Sequence, residues 1–121
     1  MKLRRIGIVG YDGVQAIDVA GPADAFTLAN SLASGRAGRY DVALLAPAKG
    51  PIRTESGLSF CPNATLSRYG PLDTIVVPGG SALRLDSGIR NAVAGWLRKN
   101  APRARRVASV CTGVYGLAVR V

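Results

Sequence analysis

The chain has 121 residues, enough for one domain built around a single core. Apolar residues make up 48% of it, yet no apolar run approaches the roughly 18 residues of a membrane span. There is no histidine, which excludes a Cys-His dyad, a Ser-His-Asp triad and a histidine metal site built from this chain alone, and the net charge is +9.

The start, Met1 to Gly10, is basic and then apolar, in the order of a secretion signal. Its apolar part is only about four residues long and stops at Tyr11-Asp12-Gly13, so Arg5–Val9 reads as a buried strand and a cytoplasmic address is expected. Gly10 to Gly13 is a turn. Ala16–Ser34 has helical spacing, with Ile17, Ala20, Ala25, Phe26, Leu28, Ala29 and Leu32 available for an inner face. Pro22 is expected at a first helical position, where a missing N–H costs nothing, and Ser34-Gly35 supplies the stop. Tyr40–Ala46 is a second strand closed by Pro47. Between Pro51 and Pro62 two short extended pieces, Ile52–Thr54 and Leu58–Cys61, flank Ser56-Gly57 as a small hairpin. Asp73–Val77 is a third core strand ending at Pro78-Gly79-Gly80. A helix over Ile89–Lys99 follows, with Val93, Trp96 and Leu97 inward. Val107–Val110 is a fourth core strand, and a last helix begins after Cys111. The alternation predicts a parallel α/β sheet covered on both faces, with ligands bound beyond the carboxyl ends of the strands.

Asp18, Gly79-Gly80 and Cys111 all fall just past strand ends and so converge on one crevice. In Arg106-Val107-Ala108-Ser109-Val110-Cys111-Thr112-Gly113 an apolar run delivers a thiol to a strand-to-helix turn. The helix N–H groups there favour thiolate, the attacking form. The same pattern fits a plain buried cysteine. Gly79 and Gly80 can bring backbone N–H groups to a ligand oxygen together with that of Cys111, or can serve a turn that needs positive φ. Asp18 reads first as a helix cap, and as a proton-transfer group second. Thr112 suits either a hydroxyl hydrogen bond or a cap. Cys61 reads as a core residue, and both cysteines are expected reduced. No metal cluster and no cofactor signature is present. The cations Arg98, Lys99, Arg103, Arg105 and Arg106 fit a solvated helix end better than a nucleic-acid surface, because no helix-turn-helix or stacking platform accompanies them.

Three segments carry a resemblance. Gly13-Val14-Gln15-Ala16-Ile17-Asp18-Val19-Ala20-Gly21-Pro22-Ala23-Asp24-Ala25-Phe26, Val77-Pro78-Gly79-Gly80 and Ala108-Ser109-Val110-Cys111-Thr112-Gly113 resemble, in order, the ThiJ/PfpI superfamily of class I glutamine amidotransferase-like domains. The resemblance implies a flavodoxin-like three-layer sandwich, with Cys111 as the elbow cysteine, Asp18 as the acid that hydrogen-bonds it and Gly80 as the oxyanion-side glycine. Thr112 stands where PfpI-type proteases carry histidine, which argues against that protease activity. Two branches are most similar. One is the N-terminal domain of GlxA-type regulators of the AraC family, which senses a ligand or mediates dimerisation while a separate helix-turn-helix region, absent here, binds DNA. The other is isocyanide hydratase, a thiol enzyme giving N-substituted formamides. The regulator reading is preferred on the wording around Trp96-Leu97-Arg98 and Ala104–Cys111, with a small-molecule effector, no membrane and no cofactor. Domains of this family continue well past the elbow helix. The chain is therefore expected to be a partial domain, and an uncovered sheet edge or helix face is expected to drive homodimer formation.

Overall fold

The computed structural model describes residues 3–33 and 39–119. Five parallel strands form the sheet: β1 (Leu3–Val9), β2 (Arg39–Ala46), β5 (Ala64–Thr65), β6 (Thr74–Val77) and β7 (Arg106–Ser109), in the order β5-β2-β1-β6-β7. Ile6, Ile8, Val9, Leu45, Ile75 and Val77 fill its centre and are almost wholly buried, as expected of β-branched runs in a parallel sheet. A two-stranded antiparallel hairpin, β3 (Ile52–Arg53) with β4 (Ser59–Phe60), turns through Gly57 at φ +91°. Helices α1 (Ala16–Leu32), α2 (Ser81–Leu85), α3 (Ser87–Asn100) and α4 (Val114–Ala118) complete the chain. The crossover through α1 runs from β1 to β2 and that through α2 and α3 runs from β6 to β7, in opposite directions along the sheet. Right-handed crossovers therefore place these helices on opposite faces. This is the flavodoxin-like α/β architecture. No helix among the described residues is long and apolar enough to cross a membrane.

Several expectations need correction. The inner face of α1 is not the predicted stripe: Ile17, Leu28 and Leu32 are 69%, 58% and 77% exposed, and Ala20, Ala25 and Ala29 are also exposed. Asp18 and Val19 are buried instead, with Pro22, Ala23, Phe26 and Asn30 half-buried along the same side. The helix has apolar residues all round, so spacing alone could not choose the side. Pro22 lies in the helix interior rather than at its first position, and the bond that an N–H at 22 would give to the carbonyl of residue 18 is lost. The Ser34-Gly35 stop lies outside the described residues; α1 ends at Leu32, with Ala33 already extended. Strand β5 and helix α2 were not anticipated, each being too short for a periodic signal. Helix α3 starts at Ser87 because the Asp86 carboxylate caps it, accepting from Ile89 N–H at 3.1 Å. Val93 and Leu97 are buried as expected, and half-buried Trp96 donates its Nε1–H to the Leu66 carbonyl at 3.1 Å.

Strand β7, expected as a core strand, is outermost among the described strands, and Arg106, Ala108 and Ser109 are exposed. On the α1 side of β6 and β7 no helix among the described residues covers the sheet. A groove of about 540 Å³ remains there, walled by Pro22, Phe26 and Ala29 and floored by Val76, Ala108 and Val110.

Candidate functional site

The strand order reverses between β1 and β6, and the crevice beyond their carboxyl ends is where doubly wound sheets bind ligands. Four segments meet there: the turn after β1, the first turns of α1, the turn Pro78-Gly79-Gly80 after β6, and the elbow after β7. An antiparallel bridge between Val14 and Gly80, and the bond from Gln15 N–H to Gly79 carbonyl at 2.8 Å, fasten the first loop to the third.

Asp18 is no helix cap. Gln15 holds the cap position, and the nearly buried Asp18 carboxylate reaches across to accept the Gly79 N–H through Oδ2 at 3.1 Å. Thr112 Oγ1 accepts the Gly80 N–H at 3.1 Å, and Glu55 Oε1, from the β3–β4 hairpin, accepts the Ser81 N–H at 2.6 Å. Three successive N–H groups that could have held a ligand anion are thus already taken by acceptors of the chain itself. Gly79 and Gly80 therefore do not stand free as oxyanion donors in this arrangement. Nor do they serve a positive-φ turn, since the left-handed glycines among the described residues are Gly13, Gly50 and Gly57. They are there for space: a Cβ on Gly79 would come within 2.9 Å of both Asp18 Oδ2 and Thr112 N, and one on Gly80 would strike the Gly13 carbonyl and Tyr11 Oη.

Cys111 is exposed and has φ +53°, the one described non-glycine residue in the left-handed region. A side chain held in that strained backbone, at the start of the short turn Cys111–Gly113, has the form of a nucleophile elbow. Exposure removes the plain buried-cysteine alternative. Gly113 is forced by packing, because a Cβ there would run into the Val77 carbonyl. No hydrogen bond between Asp18 and the Cys111 sulfur occurs among the described residues; the carboxylate goes to Gly79 instead. Cys61, expected in the core, is exposed as well.

Sequence reasoning missed two members. Tyr11 is buried to 1% and donates its hydroxyl to the Pro78 carbonyl at 2.7 Å, tying the turn after β1 to the glycine turn. Burial first, then the negative fields of Asp18, Glu55 and Cys111, pushes its hydroxyl pKa well above the tyrosine range, so it stays a donor. Glu55 is held below the usual glutamate value, mainly by the Ser81 N–H. A Tyr-Asp-Gly turn and a Glu in a hairpin give no local hint of either role. Among the described residues no cluster of three or more Cys, Asp or Glu side chains could hold a metal ion. Of the basic group, Arg105 pairs with Asp73 at 2.8 Å and Arg106 donates to Thr74 Oγ1 at 2.7 Å, so both serve the fold.

The family model described as DJ-1/PfpI matches residues 4–120. The chain belongs to the DJ-1/PfpI family. It is 31% identical over 113 residues to an uncharacterized protein encoded in the 5′ region of cpoL in Streptomyces lividans, covering 93% of this chain and 77% of that one. Among solved DJ-1/PfpI structures it is similar to a ThiJ/PfpI family protein from Pseudomonas syringae, with TM-score 0.73, 23% identity and coverage of 97% of this chain and 46% of the other. It is also similar to an AraC family transcriptional regulator from Pseudomonas putida, with TM-score 0.74, 16% identity and coverage of 94% and 59%. The chain thus spans about half the length of these two solved relatives. At these identities the likeness shows the fold.

Proposed function

We propose that this DJ-1/PfpI chain is the ligand-sensing and dimerisation domain of an AraC-type transcriptional regulator, and that the crevice of Asp18, Gly79, Gly80, Cys111 and Thr112 receives a small-molecule effector without turning it over. One observation carries the preference for sensing over catalysis: the Gly79 and Gly80 N–H groups are already satisfied by Asp18 and Thr112. Acyl-transfer chemistry needs such donors free for a developing oxyanion, and the chain has no histidine to relay protons. The AraC-family neighbour and the regulator-like wording around the elbow support the same reading. DNA contact would come from a separate helix-turn-helix region. The open β6–β7 face and the exposed apolar residues of α1 support self-association in the cytoplasm. Light scattering tests that part, with a mass well above 12.6 kDa expected and a monomer counting against it.

A second reading rests on the exposed, strained thiol. In an isocyanide hydratase-like reaction Cys111 attacks the terminal isocyanide carbon, Asp18 handles the proton, and addition of water releases an N-substituted formamide. Incubation with cyclohexyl isocyanide, followed by mass spectrometry for the formamide, separates the two. No product is expected. Turnover that Cys111→Ala abolishes would replace the sensor proposal with the enzyme.

A further inference from the structure

We infer that the Cys111 crevice selects cationic, N–H-donating small molecules over anions, and that Glu55 is the residue that sets this preference. The inference rests on the reading of the crevice as a ligand site and adds the charge class of the ligand. A chain of net charge +9 would be expected to gather anions, and the turn after β6 offers successive N–H groups of the kind anions use. Here that turn is filled from within. The Gly79, Gly80 and Ser81 N–H groups go to Asp18, Thr112 and Glu55, which are supplied by three distant segments.

What remains on offer is acceptor capacity. Asp18 is only 7% exposed and spends Oδ2 on Gly79, while Oδ1 has no donor among the described residues. No described buried oxygen is left without a partner, so Oδ1 is not sealed in and retains some contact with solvent. Glu55 is exposed, and its bond to the Ser81 N–H sets it one residue along the turn from Gly80, whose N–H goes to Thr112, the neighbour of Cys111. Arg84 also lowers the Glu55 pKa, after the hydrogen bonds from Ser81. A carboxylate or phosphate entering here would meet two carboxylates and displaced donors. An ammonium or amidinium group would meet acceptors.

The test uses Cys111 as the reporter and Cys61, the other exposed thiol, as the reference within the same molecule. Two methanethiosulfonates of opposite charge, ethyltrimethylammonium and ethylsulfonate, are applied in separate experiments at low ionic strength. Each thiolate displaces methanesulfinate to form a mixed disulfide, and peptide mass mapping gives the rate at each site. The cation-to-anion rate ratio at Cys111 should exceed that at Cys61 by about five-fold or more. Glu55→Gln keeps an oxygen for the Ser81 N–H while removing the charge, and should bring the Cys111 ratio down towards that of Cys61. A Cys111 ratio at or below that of Cys61, or one that Glu55→Gln leaves unchanged, overturns the inference. These rates do not depend on turnover or on regulation, so their outcome is separate from that of the sensor proposal.

Discussion

Tyr11 shows how a single hydroxyl can hold a site together. It sits in the turn after β1, yet its partner is the Pro78 carbonyl 67 residues away. Tyr11→Phe keeps the ring and strands that carbonyl in a buried setting, and a loss of about 1–3 kcal/mol is expected in urea unfolding. Cys111 makes the opposite case. Its left-handed backbone costs a side-chain-bearing residue about 1–2 kcal/mol, so Cys111→Gly should leave stability unchanged or raise it by up to about 1 kcal/mol in the same assay. At this scale the sequence pointed to Asp18, Gly79, Gly80, Cys111 and Thr112 from their places after strand ends, and the fold does bring their segments together. The local reasons failed more often than the positions. A carboxylate near a helix start reads as a cap because capping is judged within one turn, whereas the acceptor of the Gly79 N–H lies 61 residues from it in the chain. Glycines suggest positive φ, but crowding by Asp18 and Thr112 is what requires Gly79.

Among the elements, α1 and the Asp73 cluster are the most instructive. Gly21 lies on the open side of α1, where an added Cβ meets nothing within 4 Å. Gly21→Ala should therefore stabilise the protein by about 1 kcal/mol through helix propensity alone, measured as a shift in the urea midpoint. At the amino ends of the strands, Asp73 accepts from Arg105 of the segment leading into β7 and from Arg4 of β1, and Thr74 of β6 donates to it as well. The Arg105 bond foremost, with the Thr74 bond, lowers the Asp73 pKa from 3.8 to about 2. A carboxyl whose folded value is depressed stabilises the fold at pH values above its unfolded value. That contribution is lost as pH falls from about 4 towards 2. Unfolding midpoints should drop across that window, and Asp73→Asn should flatten the drop while lowering stability at pH 7. Strands β1, β2, β6 and β7 and helix α3 were legible to within one or two residues at each end, because continuous apolar runs and helical spacing mark them. The burial side of α1 was not legible, since its apolar residues surround the helix.

For the molecule as a whole, the alternation of strands and helices fixes a parallel sheet, and crossover handedness does the rest. What local alternation cannot reveal is which strand ends up outermost. Val107–Val110 has the apolar composition of an interior strand, and only the order β5-β2-β1-β6-β7 shows that β7 is outermost among the described strands. That outer flank has a bearing on heat denaturation. If two copies shield each other's β7 margin and the trough beside α1, unfolding becomes a dissociation as well. The apparent melting temperature should then climb as the protein is concentrated, by a few degrees for each tenfold step, and calorimetry over a dilution series reads this directly. A melting point indifferent to dilution would mean that each copy withstands heat with that flank bare.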